Sequence, residues 1–259
     1  MKLKGKRIIV TGASSGIGLA LTRRLAKAGA RVVGVSRTIE ENKAALAGLS
    51  VQTVACDLSD PAQVDVMLDK ACKLLGGIDV FVANAGFAYY GTIGPPDWQK
   101  NERIFATNVL SPIYTLQKLA QNRTEKLVFM LTISALGKMV LPGFALYDAT
   151  KFALDGFVRT YRMEKPRNIK IMPVYPMATL KTGFFKKAAD HPPIPVPPQP
   201  VEVVAFSMVV GLRIGARSVY TSIVFLVRCL LVRVLPVDLI SQGIERVRFH
   251  FWRKKHPAE

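Results

Sequence analysis

Six short apolar runs punctuate the chain: RIIVTG from Arg7, RVVGVSR from Arg31, VQTVACD from Val51, DVFVANAG from Asp79, KLVFMLTIS from Lys126 and IKIMPVYP from Ile169. Between them, segments such as GLALTRRLAKAGA and PAQVDVMLDKACKLLG put Leu, Ala and Val on one helical face and charges on the other. Continuous apolar strands are buried on both faces, and their alternation with amphipathic helices predicts an α/β fold: a doubly wound parallel sheet in three α/β/α layers. With 259 residues, half of them hydrophobic, the chain is long enough for one large core. No internal repeat is evident. The run HPPIPVPPQP at 191–200 is neither helix nor central strand, because proline lacks the N–H and fixes φ; it reads as a connector, either a plain surface linker or a lid beside a cleft.

The pattern changes near the C-terminus. SIVFLVRCLLVRVLP (222–236) is apolar enough to suggest a membrane span, but Arg228 and Arg233 interrupt it and it falls short of the ~20 residues a span needs. At helical spacing Ile223, Leu226, Val227, Leu230, Leu231 and Val234 share a broad face, with Phe225 and Val232 at its borders. That face either covers a substrate cleft or lies in a membrane interface. The tail GIERVRFHFWRKKH, with Phe249, Phe251 and Trp252 among basic residues, allows the same two outcomes, with packing on the domain favoured.

TGASSGIG (Thr11 to Gly18) follows the first strand and opens the first helix, the setting in which glycines admit a pyrophosphate to helix N–H groups. Gly12, Ser14, Ser15, Gly16, Ile17 and Gly18 are the residues placed there. The second strand ends at Ser36 and Arg37. A free ribose 2′-hydroxyl calls for Asp or Glu at that point, whereas a hydroxyl and a guanidinium suit a 2′-phosphate, so NADP(H) is expected in preference to NAD(H). Asp57, followed by Leu58, ends the third strand where a carboxylate accepts from an adenine amino group, and Asp60 before Pro61 reads as a helix cap. Asn84, Ala85 and Gly86 end the fourth strand, small enough for a ribose to approach.

Together with this turn, Asn84-Ala-Gly, Asn108 in ATNVL, Ser134, and Tyr147-x-x-x-Lys151 occur in an order that resembles the short-chain dehydrogenase/reductase family over about residues 5 to 185. The resemblance implies a Rossmann-type single domain, with 1–190 as dinucleotide-binding and catalytic core and 191–259 as a substrate lid and helical C-terminal extension. Four residues apart on a helix, Lys151 lies on the face of Tyr147, and its ammonium, with an oxidised nicotinamide, is expected to lower the phenol from near ~10 toward neutrality. Tyr147 is then general acid in reduction and general base in oxidation, and Ser134 hydrogen-bonds the substrate oxygen. The family assigns the same roles and adds Asn108 as holder of a proton relay through the lysine. Tyr147 and Lys151 also touch the cofactor, as do Pro176 and Thr179, with Thr182 a further candidate. Met177 stands where the family usually has glycine and puts bulk near the nicotinamide, and Ile133 replaces a frequent serine. A binding-only scaffold on the same fold is the alternative, disfavoured because all four catalytic positions are kept.

Composition narrows partners and place. A net charge of +18 attracts phosphorylated ligands, anionic lipid or nucleic acid. No helix-turn-helix, aromatic stacking motif or zinc pattern supports nucleic acid. Three cysteines without Cys-x-x-Cys point to a reducing compartment and to no metal. The N-terminal apolar run is too short for a signal peptide, so a cytoplasmic protein is expected, with peripheral membrane contact through the basic C-terminal region as the open alternative. His191, His250 and His256 fall outside the catalytic set. The apolar C-terminal face, with Phe184 and Phe185, suggests a hydrophobic carbonyl or alcohol substrate, lipid-like or acyl. The family resemblance implies a homo-oligomer.

Overall fold

The computed structural model describes residues 1–121, 124–164, 168–179 and 198–231, with the single positions 244, 247 and 251. Thr182, Phe184, Phe185, the three histidines, most of the proline run, residues 232–236 and most of the tail lie outside the described residues.

The strands β1 (Arg7–Thr11), β2 (Arg31–Val35), β3 (Val51–Val54), β4 (Val80–Ala83), β5 (Leu127–Thr132), β6 (Ile169–Tyr175) and β7 (Val219–Tyr220) form one sheet in the order β3-β2-β1-β4-β5-β6-β7. Every neighbouring pair is parallel. The first six are the predicted runs. The seventh has only two residues, too few for a periodic signal, and is held in register by β6 through Val174↔Val219 and Tyr175↔Tyr220.

The α-helices are α1 (Gly16–Lys27), α2 (Pro61–Leu75), α3 (Trp98–Phe105), α4 (Ser111–Ala120), α5 (Ala145–Glu164), α6 (Val201–Ile214) and α7 (Ile223–Leu231), with short helical turns at Lys43–Leu46, Ala106–Leu110 and Ala135–Gly137. The two-residue period of the strands divides the core. Ile8, Val10, Val80, Val82 and Met130 enter one layer with Leu21 and Leu25 of α1 and Met208 and Leu212 of α6. Ile9, Phe81, Phe129 and Ile171 enter the other with Met67 of α2, Leu116 of α4 and Leu154 and Val158 of α5. Phe81 and Phe129 stack across β4 and β5 with ring centroids 5.3 Å apart. Residues 198–231 thus supply α6 and β7 to the sandwich itself.

Asp60 caps α2 as its sequence predicts: the carboxylate accepts the N–H groups of Ala62 at 2.9 Å and Gln63 at 3.4 Å, Pro61 opens the helix and Gly76 ends it in a left-handed conformation. Strand order reverses between β1 and β4, so a crevice opens at the carboxyl ends of the strands there.

Helix α7 docks through a residue at the edge of its apolar face. Phe225, placed by sequence at the border of the apolar face, is the residue that docks: it is 2% exposed, with its ring 6.1 Å from that of Tyr220. The face expected either to cover a cleft or to lie in a membrane interface turns outward at Ile223, Val227, Leu230 and Leu231. The cause is the ring stack on β6 and β7, where Tyr175 and Tyr220 lie 5.0 Å apart and offer an aromatic surface to Phe225.

Candidate active site

Side-chain hydrogen bonds lock the three strand ends that floor the crevice. The Thr11 hydroxyl donates to the Val82 carbonyl and accepts the N–H groups of Asn84 and Ala85 at 3.0 and 3.1 Å. Asn84 returns its amide to the Thr11 carbonyl and accepts from the Thr132 hydroxyl, which joins β1, β4 and β5. The first helix turn packs directly on this floor: a Cβ at Gly18 would sit 2.0 Å from the Gly12 carbonyl oxygen. Ser15 stands at the N-cap of α1 without a side-chain capping bond, and the first turn carries no acid, so its N–H groups favour an anion.

One cavity of about 470 Å³ collects nearly all of the predicted site. Gly12, Ser14, Ser15, Gly16, Ile17, Gly18, Ser36, Arg37, Asp57, Leu58, Asn84, Ala85 and Gly86 line one part of it, and Ser134, Tyr147, Lys151, Pro176 and Thr179 another. Among the described predicted residues, only Asn108 does not line it. At one end Ser14 and Ser36 share a hydrogen bond of 2.8 Å, and the Thr38 hydroxyl donates to Ser14 at 3.4 Å. Arg37 lies beside them, 3.8 Å from the Asp57 carboxylate. The other Asp57 oxygen accepts from the backbone and hydroxyl of Ser59, and despite partial burial these bonds and Arg37 hold the acid below its usual range. Thr38 is an addition to the predicted set, signalled only by a hydroxyl two residues beyond Ser36. These hydroxyls, the guanidinium and the helix N-terminus fit the phosphates of a dinucleotide.

At the other end Ser134, Tyr147 and Lys151 converge. Ser134 is the only non-glycine residue of positive φ among the described residues, at φ 152°, a conformation seldom held by an L side chain outside functional sites. Its hydroxyl accepts the Leu136 N–H at 3.1 Å and bonds the Tyr147 phenol. The Lys151 ammonium lies 5.3 Å from the Tyr147 ring centroid and donates to the Thr132 carbonyl at 3.2 Å. Asn108 sits behind, in a π-type turn (Ala106–Leu110) between α3 and α4. Its amide accepts the Phe87 N–H and donates to the Phe87 carbonyl and to Thr150, whose own hydroxyl donates to the Tyr147 carbonyl. It thereby pins the loop after β4 to α5.

Burial pushes the Tyr147 phenol well above its ordinary range; the Ser134 hydrogen bond opposes this and the Asp148 charge adds to it. Burial also draws Lys151 down to about 7. The expected lowering of the phenol by Lys151 is therefore not found in the protein by itself, because the ammonium's own desolvation weakens the charge that would produce it.

Two braces hold these groups, and neither was legible as a motif. Asp155, one further turn along α5, is 4% exposed and accepts from the Tyr175 phenol at 2.6 Å. It also pairs with Lys138 at 3.0 Å and Arg159 at 2.8 Å. Lys138 follows the Ser134 turn, so this carboxylate ties that turn to the helix carrying Tyr147 and Lys151. Gln199 braces the segment after β6: its side-chain oxygen accepts from Met177 N–H at 3.3 Å and the Thr221 hydroxyl at 2.5 Å, its amide donates to the Thr221 carbonyl, and its N–H donates to the Ala178 carbonyl. Met177, in the position where the family usually has glycine, lines the cavity.

Removing Asp155 leaves the part-buried Lys138 and the buried Tyr175 phenol without their shared carboxylate, and Asp155→Ala is expected to lower stability by about 3 kcal/mol in urea denaturation. A loss within experimental error would contradict the brace. Asp148 supplies a pH test. One of its oxygens accepts the Leu141 N–H at 3.0 Å, the other has no hydrogen-bond partner among the described residues, and burial pushes the carboxyl up to about 7. The folded chain then holds this proton more tightly than the unfolded one, so its contribution to stability falls as pH rises from about 4 to about 7. Lys151, drawn down to about 7, contributes the opposite slope above that value. Taking the difference between Asp148→Asn and wild type cancels the lysine. The variant is expected to gain about 1–3 kcal/mol on wild type between about pH 5 and about pH 8, and an unchanged difference would contradict the assignment.

Comparison with known proteins agrees with this geometry. The family profile for short chain dehydrogenases matches residues 6–193. The human protein "Dehydrogenase/reductase SDR family member 2, mitochondrial" is 34% identical over 195 residues, covering 71% of this chain and 68% of its own. The zebrafish (Danio rerio) 3-dehydrosphinganine reductase is 27% identical over 272 residues, covering 95% of this chain and 80% of its own. A short chain dehydrogenase from Burkholderia cenocepacia, solved in complex with NADP, superposes with a TM-score of 0.73 at 27% identity over 85% of this chain and 97% of that one. With that profile spanning most of its length and the cavity joining the phosphate-binding turn to Tyr147 and Lys151, this chain belongs to the short-chain dehydrogenase/reductase family.

Proposed function

We propose that this family oxidoreductase is NADP(H)-dependent and acts on a hydrophobic ketone or the corresponding secondary alcohol, with Tyr147 as general acid and base. The carrying observation is the single cavity that joins the hydroxyl and guanidinium cluster of Ser14, Ser36, Arg37 and Thr38 to the Ser134–Tyr147–Lys151 group. The nicotinamide supplies hydride chemistry when bound. The protein's part is to orient the carbonyl, exclude water and move one proton.

Ser134 and Tyr147 present two hydroxyls to one substrate oxygen. The raised phenol stays protonated through the neutral range, which suits donation to an oxygen gaining negative charge. Lys151, titrating about 7, adds cationic character beside the phenolate that results. Ser14, Ser36, Arg37 and Thr38 would hold the 2′-phosphate, the N-terminus of α1 the pyrophosphate, and Pro176 to Thr179 the nicotinamide end. Leu136, Met139, Leu141, Phe144 and Met177 around the reacting end support an apolar substrate. Exposed Leu110 and Phe152, before α4 and on α5, support self-association through those helices.

Two substitutions test this reading. Tyr147→Phe is expected to lower kcat by about 10²- to 10⁴-fold while NADPH still binds; equal turnover would overturn the acid/base role. Arg37→Glu is expected to raise KM for NADPH at least about tenfold and to leave KM for NADH little changed or improved. An unshifted NADPH to NADH ratio would overturn the cofactor preference.

A further inference from the structure

Helix α7 presents apolar side chains on both sides. At about 100° per residue, Phe225 and Cys229 point toward the body of the protein, and Cys229 joins the core that Phe225 enters. On the far side Ile223, Val224, Val227, Leu230 and Leu231 span an arc of about 120°, and their exposure runs from 45% at Leu231 to 81% at Ile223. A helix packed on one side and facing water on the other ordinarily carries polar residues outward. Five large aliphatic side chains in one outward arc make a contiguous apolar patch, the mark of an interaction surface.

Charge selects the occupant. Residues 222–259 carry seven Lys or Arg against three Asp or Glu, within a chain of net charge +18. A second copy would carry the same net positive charge as this one, whereas an anionic bilayer complements it. The helix has nine residues, and no helix among the described residues is long and apolar enough to cross a membrane, so the fitting geometry is in the plane of the interface. Further along, Ile244 and Val247 are helical and exposed three residues apart, which places them on one face as well. The patch also adjoins the site: Arg228 at its edge donates to the Met139 sulfur at 3.6 Å, and Met139 lines the cavity.

We propose that α7 docks this protein on the headgroup region of an anionic membrane, with Ile223, Val224, Val227, Leu230 and Leu231 as the inserting face and the cavity held beside the lipid surface. The surface carries the docking; its consequence, delivery of a membrane-dissolved substrate to the Ser134–Tyr147 end, rests on the function proposed above.

The test is co-sedimentation of the full chain with vesicles of phosphatidylcholine alone and of phosphatidylcholine mixed with phosphatidylglycerol. Wild type is expected to pellet at least about tenfold better with the anionic vesicles and to release in high salt. Val224→Glu with Val227→Glu, both exposed and outside the cavity, is expected to lose that binding about tenfold or more while the melting temperature is unchanged. Failure of wild type to bind anionic vesicles, or undiminished binding by the variant, would overturn the proposal. So would a wild-type dimer in light scattering that the same variant converts to monomer, because a second copy would then occupy the face. NADPH binding measured on the same samples separates the two readings: vesicle binding without NADPH binding sinks the cofactor assignment and leaves the docking face standing.

Discussion

The contact of α5 with the turn after β5 governs the site. At Gly137 an added Cβ would meet the Lys151 carbonyl oxygen at 2.9 Å and the Ile133 side chain at 2.6 Å, so the turn lies directly on the helix backbone. That proximity brings Ser134 to Tyr147. Asp155 fixes it from one side through Lys138 and Tyr175, and the Ala135 N–H donating to the Pro176 carbonyl at 2.8 Å fixes it from the other. The strained φ of Ser134 persists because these partners over-determine its place.

Burial gives the same groups their chemistry and sets their cost. Tyr147 and Lys151 are 6% and 4% exposed, and desolvation moves both toward their neutral forms. A phenol kept protonated and an ammonium titrating near neutrality are poised to exchange charge, which an exposed Tyr–Lys pair on a helix would not be. Asp148 carries a similar cost with only the Leu141 N–H to offset it. Asn108 helps keep this arrangement in place by clamping Phe87 and Thr150 from behind the cavity.

Much of this was legible in the sequence, for definite reasons. Strands buried on both faces leave long apolar runs, so six of seven announced themselves, while β7 is defined by pairing with β6 and left no pattern. The site motifs were readable because each is local: a glycine turn, a strand-end Asn-Ala-Gly, and a Tyr and Lys one helical turn apart. What escaped was long-range. Gln199 and Thr221 meet the strand end at Tyr175 to Met177 only in the folded chain, and Asp155 looks like an ordinary helix-surface acid until Tyr175 and Lys138 close on it. Which side of α7 docks escaped for the same reason, since Phe225 finds Tyr220 only in the folded chain and Arg228 is the one charged residue of the helix.

The central claim is that one cavity brings a nicotinamide and a carbonyl together under Ser134 and Tyr147. Its most direct measurement is isotope transfer from NADPH deuterated at nicotinamide C4, incubated with an apolar ketone and analysed by mass spectrometry of the alcohol. The account predicts deuterium on the carbinol carbon of the product from one stereoisomer of the labelled cofactor. Alcohol formed without label from either stereoisomer, or no alcohol across a series of apolar ketones, would contradict it.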